Sequence, residues 1–155
     1  MGDVSEFSFA TRMFLKAYPW RRIDPVPCAP LRKPLAESRI ALVTTAGFHL
    51  PDQTPFDCDK RGGDTSYRII PNDADVSTLL EAHRSETFDH AGVQADPNLA
   101  FPLDRLREMG LPLAPRHLSF MGSITAPGRL IAESAPEAAQ LLVDDGVDVA
   151  LLVPV

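Results

Sequence analysis

The stretch SAPEAAQLLVDDGVDVALLVPV, residues 134–155, constrains the fold more than any other part of the chain. Its first half spaces apolar residues as one helix face does. Ser134 and Glu137 stand where a capping box would join them. Gly146 stands where a left-handed residue ends a helix. The run after it, VDVALLVPV, reads as a buried strand. A helix returned so directly into a strand is the second half of a parallel crossover. The expected fold is therefore α/β, with a small, mostly parallel sheet flanked by helices in Rossmann-like layers.

The rest of the chain fits that frame. RIALVTTAG reads as a second buried strand closed by small residues, and SYRIIP as a short strand. DADVSTLLEAH predicts a helix with Asp75 as N-cap. FPLDRLREMG predicts another, with Pro102 at its first position, Gly110 past its end, and Leu103, Leu106 and Met109 on its buried face. FATRMFLKAY has the spacing of a short amino-terminal helix. PWRRIDPVPCAPLRKP contains five prolines and cannot hold a helix or a central strand, so it is expected as an extended arm over the core. FHLPDQTPFDCDKRGGD carries turn signals throughout. The expectation is a single domain over residues 1–155, with 1–38 as amino-terminal helix and arm and 39–155 as core.

Several function classes are set aside by composition. A net charge of −6 without a basic run argues against nucleic-acid binding. No apolar stretch approaches about 18 residues, so no membrane span is expected. The amino terminus has no basic-then-apolar signal design, and Glu6 stands where a myristoylation signal needs Ser or Thr. A cytoplasmic protein is expected. Two cysteines are too few for a disulfide framework.

In open α/β sheets ligands bind outside the carboxyl ends of the strands. One such end is TTAG, where Thr44 and Thr45 offer hydroxyls and Gly47 allows close backbone approach. The same residues also suit an ordinary strand-to-loop bend. HRSETFDH brings His83, Asp89 and His90 close in sequence, with His117 further on. Imidazole and carboxylate together can ligate zinc or iron. With neither HExxH nor CxxC present, these histidines equally fit loop hydrogen bonding, and no metal site is expected. GxGxxG and the phosphate loop are both absent, and no cofactor is expected. Cys58 sits among Asp57, Asp59, Lys60 and Arg61, so the sign of its thiol pKa shift is open. Cys28 lies in the proline-rich arm.

Taken together, RIALVTTAGFHL, GGDTSYRIIP, DPNLAFPLDRLREMG, HLSFMGSI and DDGVDVALLVPV resemble, in order and spacing, the selenoprotein B family of glycine, sarcosine, betaine and D-proline reductases. The short bacterial homologues of that family are the nearer likeness, over about residues 18–155. FPLDRL followed by SFMG is the most specific part. The resemblance implies reductive cleavage of a carbon–nitrogen bond in an amine or amino-acid substrate, with electrons from thiols. It also implies a selenocysteine or cysteine directly after the strand matching VALLVPV, commonly with a cysteine three positions on. Since Val155 is the last residue here, the expectation is a UGA selenocysteine codon read as a stop.

Candidate catalytic residues under this reading are His83 and His117, then Cys58. Candidate substrate contacts are Thr44, Thr45, Gly47, Asp96, Asn98 and Arg105. Asp104 and Arg105 also fit an exposed helix start, and Asp96–Pro97–Asn98 a turn. The partners expected are a small amine or amino-acid substrate, a thiol reductant protein and a second copy of the chain, since the apolar strand end should expose surface. Two other classes stay in view: a non-catalytic small-molecule or partner-binding module of the same fold, and a metal-dependent enzyme using the histidines.

Overall fold

The computed structural model describes residues 4–20 and 22–155. Residues 1–3, where the amino-terminal signal reading begins, and residue 21, inside the proline-rich segment, lie outside the described residues. The chain divides into two compact units, residues 1–30 and 31–155.

The first unit contains α1 (Phe9–Ala17), where the helical spacing placed it. Ser8 caps it, its side chain accepting the Thr11 N–H at 3.2 Å. Tyr18 and Trp20 pack ring to ring at 4.6 Å, and the Trp20 indole donates to the Leu15 carbonyl at 2.8 Å. Residues 22–30 form neither helix nor strand.

The second unit is built on a four-stranded sheet. Its strands are β1 (Ile40–Thr44), β3 (Tyr67–Pro71), β5 (Arg116–Phe120) and β6 (Val149–Val153), in the order β3-β5-β1-β6. β1 runs parallel to both neighbours, while β3 runs antiparallel to β5. The mostly parallel α/β sheet predicted from the sequence is present. A second, two-stranded sheet pairs β2 (Phe48–His49) with β4 (Leu80–Glu81).

The helix α4 (Ala135–Asp144) carries the chain from β5 back to β6 across β1, as the parallel crossover requires. Its start differs from the capping-box expectation. A π turn, Leu130–Ser134, precedes it, so Ser134 has helical dihedrals, lies buried and caps nothing. Its end is as expected, with Gly146 at φ +66° turning the chain.

A short helix α2 (His90–Ala95) follows β4 in the chain. Three other expectations are corrected. The helix over DADVSTLLEAH is a single 3₁₀ turn, Val76–Thr78. Asp75 does cap it, accepting the Ser77 N–H at 3.0 Å. Val76 and Leu79 bury in that one turn, and the chain then extends so that Leu80–Glu81 can pair with β2. In α3 (Leu103–Glu108), Pro102 is the N-cap, and Met109 points into solvent while Leu103 and Leu106 are buried. β6 is a strand as read, but an edge strand with Leu151 and Leu152 exposed. α4 packs over β1, β5 and β3 through Ala138, Leu141 and Leu142, leaving the outer side of β6 uncovered among the described residues.

Apolar side chains fill both faces of the sheet. Ile40, Leu42, Ile70, Phe101, Leu103 and Leu106 pack on one side, with Val149 and Val153 against them. Leu118, Phe120 and Ala138 pack on the other. Phe48 and Phe101 meet edge to face at 6.2 Å, a favoured aromatic geometry. The first cluster anchors the loops that rise past the carboxyl ends of β1 and β6.

A candidate binding cleft at the carboxyl ends of β1 and β6

The parallel register places Thr44 opposite Val153, so the ends of β1 and β6 lie side by side. A cleft of about 470 Å³ opens beside them. Phe88, Val93, Leu99 and Ala100 give it apolar walls. Ser85, Thr87 and Ser123 add hydroxyl-bearing residues, and His83, Asp89 and Val155 complete its lining.

The threonines shape this end of the sheet. Thr44 is fully buried; its hydroxyl donates to the Ala100 carbonyl at 2.7 Å and accepts the Ala46 N–H at 3.1 Å. Its hydrogen bonds are thus made within the protein. Thr45 accepts the Val155 N–H at 3.0 Å, and its hydroxyl reaches the Val155 carbonyl at 3.3 Å. That pair ties Val155 to the cleft wall. Gly47 has φ +71°, and a Cβ there would stand 2.7 Å from the Ala82 carbonyl oxygen. Its role is to let β2 and the chain leading to His83 approach each other closely.

His83 is the polar centre of the cleft. It is 7% exposed, and its ring lies 4.4 Å from that of Phe88. Nδ1 accepts the Ser85 N–H at 3.2 Å. Nε2 is buried and has no hydrogen-bond partner. Burial holds the imidazole pKa below its ordinary value; Glu81 opposes that shift and His90 adds to it. A neutral ring that accepts at Nδ1 carries its proton on Nε2.

Behind His83 stands a carboxylate–imidazole pair. Glu81 accepts the His83 backbone N–H through one oxygen and contacts His90 Nδ1 at 2.8 Å through the other. His90 Nε2 reaches the Ser85 carbonyl at 3.0 Å. The Glu81 hydrogen bond, followed by that to Ser85, raises the His90 pKa. As imidazolium, His90 donates from both nitrogens and braces the loop.

The remaining sequence candidates lie elsewhere. His117 is fully buried in β5; Nδ1 accepts the Leu42 N–H at 3.0 Å and Nε2 pairs with the Asn72 side-chain oxygen at 3.2 Å. Burial, followed by the Arg107 charge, lowers its pKa to about 4. Asp96 caps the 3₁₀ turn Pro97–Leu99, accepting the Asn98 N–H at 3.0 Å, and Asn98 holds the start of α3. Asn98 accepts the Asp104 N–H at 3.1 Å, a bond that Pro102 has no polar side chain to make, and its amide donates to Asp104 at 3.1 Å. Arg105 pairs with Glu108 on the exposed helix face at 3.0 Å. Cys58 is half-buried, and burial, then Glu81, Asp59 and Asp57, push its thiol pKa up against a smaller lowering by Arg84. The cleft lining thus contains His83 from the sequence candidates, with Val155 held there by Thr45.

Gly122 and Ser123 are site residues that pattern reading missed. Gly122 has φ +68°, and a Cβ there would sit 2.8 Å from His83 Nε2 and 2.5 Å from the Thr45 carbonyl oxygen. Ser123, on the lining, has φ +46°, uncommon outside glycine. The available signal was Met-Gly-Ser directly after the apolar end of HLSF. Among the described residues no group of three His, Cys, Asp or Glu side chains is arranged to hold a metal ion. Also among them, no helix is long and apolar enough to cross a membrane.

Comparison with known proteins adds one relationship. The chain is similar to the D-proline reductase subunit gamma of Acetoanaerobium sticklandii, 35% identical over 136 residues. The match covers 84% of this chain and 54% of the relative, so the chain spans about half of that protein's length. No family model and no solved structure matches the chain. The relationship is with a reductase, in line with the reductase character that the sequence blocks imply.

Proposed function

We propose that this chain is the cleft-bearing part of a selenoprotein B-type reductase subunit. Its substrate is a small amine or amino acid, with D-proline the first candidate, and the reaction is reductive cleavage of a carbon–nitrogen bond. The observation that carries the reading is the place of the cleft: it opens at the carboxyl ends of two parallel strands, in a chain similar to a D-proline reductase subunit.

The chemistry balances as a two-electron step. The carbon–nitrogen bond breaks, and two electrons and two protons place one hydrogen on carbon and one on nitrogen. A dithiol supplies them and becomes a disulfide. With proline, cleavage at Cα opens the ring to a linear amino acid. The reading assigns the nucleophile to a selenocysteine or cysteine directly after Val155. Val155 lines the cleft and is bonded to Thr45, so a residue following it would emerge there. Cys58 is a poorer candidate, because its raised pKa keeps it a thiol rather than a thiolate. The partners in this reading are other subunits of the enzyme, a thiol reductant protein and a second copy of the chain, in the cytoplasm.

A second reading, a non-catalytic binding module, is favoured by one observation: the cleft lining contains no cysteine. One assay separates the two. The complete gene product, purified from its own host with its associated subunits, is given D-proline and dithiothreitol. The reductase reading expects ring-opened product and oxidised dithiothreitol in equal amounts. A binding module gives neither. Reading the codons after Val155 is the companion check: UGA or a cysteine codon in frame supports the assigned nucleophile, and any other codon overturns it.

A further inference from the structure

The loop from Glu81 to His90 supplies half of the cleft lining: His83, Ser85, Thr87, Phe88 and Asp89. Its first residue is fixed in β4, where Glu81 pairs with Phe48 of β2, and its last opens α2. Arg84 fastens the early loop to the Lys60 carbonyl at 3.0 Å. The His90 ring fastens the middle. Its Nδ1 meets the Glu81 carboxylate at 2.8 Å, and its Nε2 meets the Ser85 carbonyl at 3.0 Å. The same Ser85 carbonyl accepts the Phe88 N–H at 3.2 Å, and the Phe88 ring stands edge to face with the His90 ring at 5.2 Å. One imidazole thus holds the turn that presents Thr87 and Phe88 to the cleft.

Both atoms that face the His90 nitrogens are acceptors with no proton to give. An imidazolium has an N–H for each of them. A neutral imidazole has only one, and turns a lone pair toward the other acceptor. The bond to the carboxylate is the stronger, so the proton that leaves comes from Nε2, and the Ser85 carbonyl loses its donor. We propose that His90 is a positioning residue of the cleft: doubly protonated, it latches the Ser85–Phe88 turn into the wall, and loss of its Nε2 proton releases that turn. The proposal rests on the reading of this cleft as the substrate site, and names what regulates it. Glu81 on β4 and Asp89 before α2 favour the proton on His90, and the His83 ring lies 6.5 Å from it. The Glu81 hydrogen bond, then that of Ser85, raises the His90 pKa above 6.5, whereas burial lowers that of His83 below it. Above pH 6.5 the proton at issue is therefore that of His90.

The test is hydrogen exchange of the whole chain, read by mass spectrometry at about pH 6 and about pH 8.5, with labelling times scaled for the intrinsic rate. The proposal expects the segment 83–89 to exchange about tenfold faster at the higher pH, relative to the β1 segment 40–44, which keeps its protection. Ring-nitrogen NMR should find both His90 nitrogens protonated at the lower pH, with a midpoint above 6.5. In His90→Gln, whose side chain has no such proton to lose, exchange of 83–89 should be the same at both pH values. If that variant does not fold, the wild-type comparison decides. Equal protection of 83–89 at the two pH values, a His90 ring with one proton at about pH 6, or a pH response that persists in His90→Gln overturns the latch. No ligand enters the measurement, so its result is separate from the D-proline assay that tests the cleft reading.

Discussion

His117 Nδ1 accepts the backbone N–H of Leu42 at 3.0 Å. This side chain stands in for a ladder bond between β5 and β1. Ile40 bridges to Leu113, but Val43 pairs with Leu118, so three steps on β1 match five on the other strand. The extra residues form a bulge at Pro115, and the imidazole closes the gap it leaves. His117→Leu should strand both the Leu42 N–H and the Asn72 side chain. We expect a stability loss of about 2–4 kcal/mol, read from urea midpoints. A loss under about 0.5 kcal/mol would show that the bond is dispensable.

The same histidine sets a pH dependence. Its pKa is about 4 when folded against 6.5 ordinarily, so the unfolded chain binds more protons between those values. The stability it contributes is full above pH 6.5 and is lost as pH falls toward about 4, by about 3 kcal/mol. His83 is lowered too and acts with the same sign. His90 is raised; its contribution is full below 6.5 and is lost as pH rises through its folded value. Urea unfolding from pH 7 to 4 should show falling stability, and His117→Leu should flatten that fall. An unchanged slope in the variant would refute the assignment.

Gly122→Ala is expected to damage fold and cleft together. It puts a Cβ at φ +68°, within 2.5 Å of the Thr45 carbonyl oxygen. The strained backbone and the overlap together should cost about 2–4 kcal/mol. The new methyl would also press on the His83 ring, 2.8 Å from Nε2. Thermal unfolding and D-proline titration check the two effects; wild-type values for both would contradict this geometry.

The exposed edge of β6 should associate. Leu152 is 66% exposed on a strand whose outer side carries no partner among the described residues. Flat apolar edges recruit other strands unless charge blocks them. Light scattering at high concentration should show dimers, and Leu152→Lys should return monomer with little change in unfolding midpoint. A wild-type monomer at every concentration would count against the homodimer.

Cys58 should behave as an ordinary, slow thiol. Its pKa is raised by burial and by Glu81, Asp59 and Asp57. Alkylation by iodoacetamide at pH 7.5 should run slower than for a free model thiol, and Cys58→Ser should leave D-proline turnover by the whole enzyme intact. Fast alkylation would restore it as a nucleophile candidate.

The strands β1 and β6 were legible because their apolar runs are nearly unbroken, and Gly146 marked the helix end. β5 was not, because His117 and Ser119 interrupt its run, yet both are fully buried. His117 is tolerated there through its two hydrogen bonds, which no linear pattern displays. The helix expected after Asp75 failed for a tertiary reason: β2 captures Leu80 and Glu81. At the site, the closeness of His83 and His90 was readable, but its cause was not. Glu81 joins them through the backbone of one and the ring of the other. Asp96, Asn98 and Arg105 were candidates because they fall in a block that carries the family resemblance. Asp96 caps the turn Pro97–Leu99, Asn98 fastens the start of α3, and Arg105 pairs with Glu108 on its surface.

The most direct test of the cleft as a substrate site is a crystal structure of the chain grown with saturating D-proline. The account predicts ligand density beside β1 and β6, its ring against Phe88 and Leu99. Density at another surface, or an empty cleft in a crystal whose packing leaves it open, would contradict it.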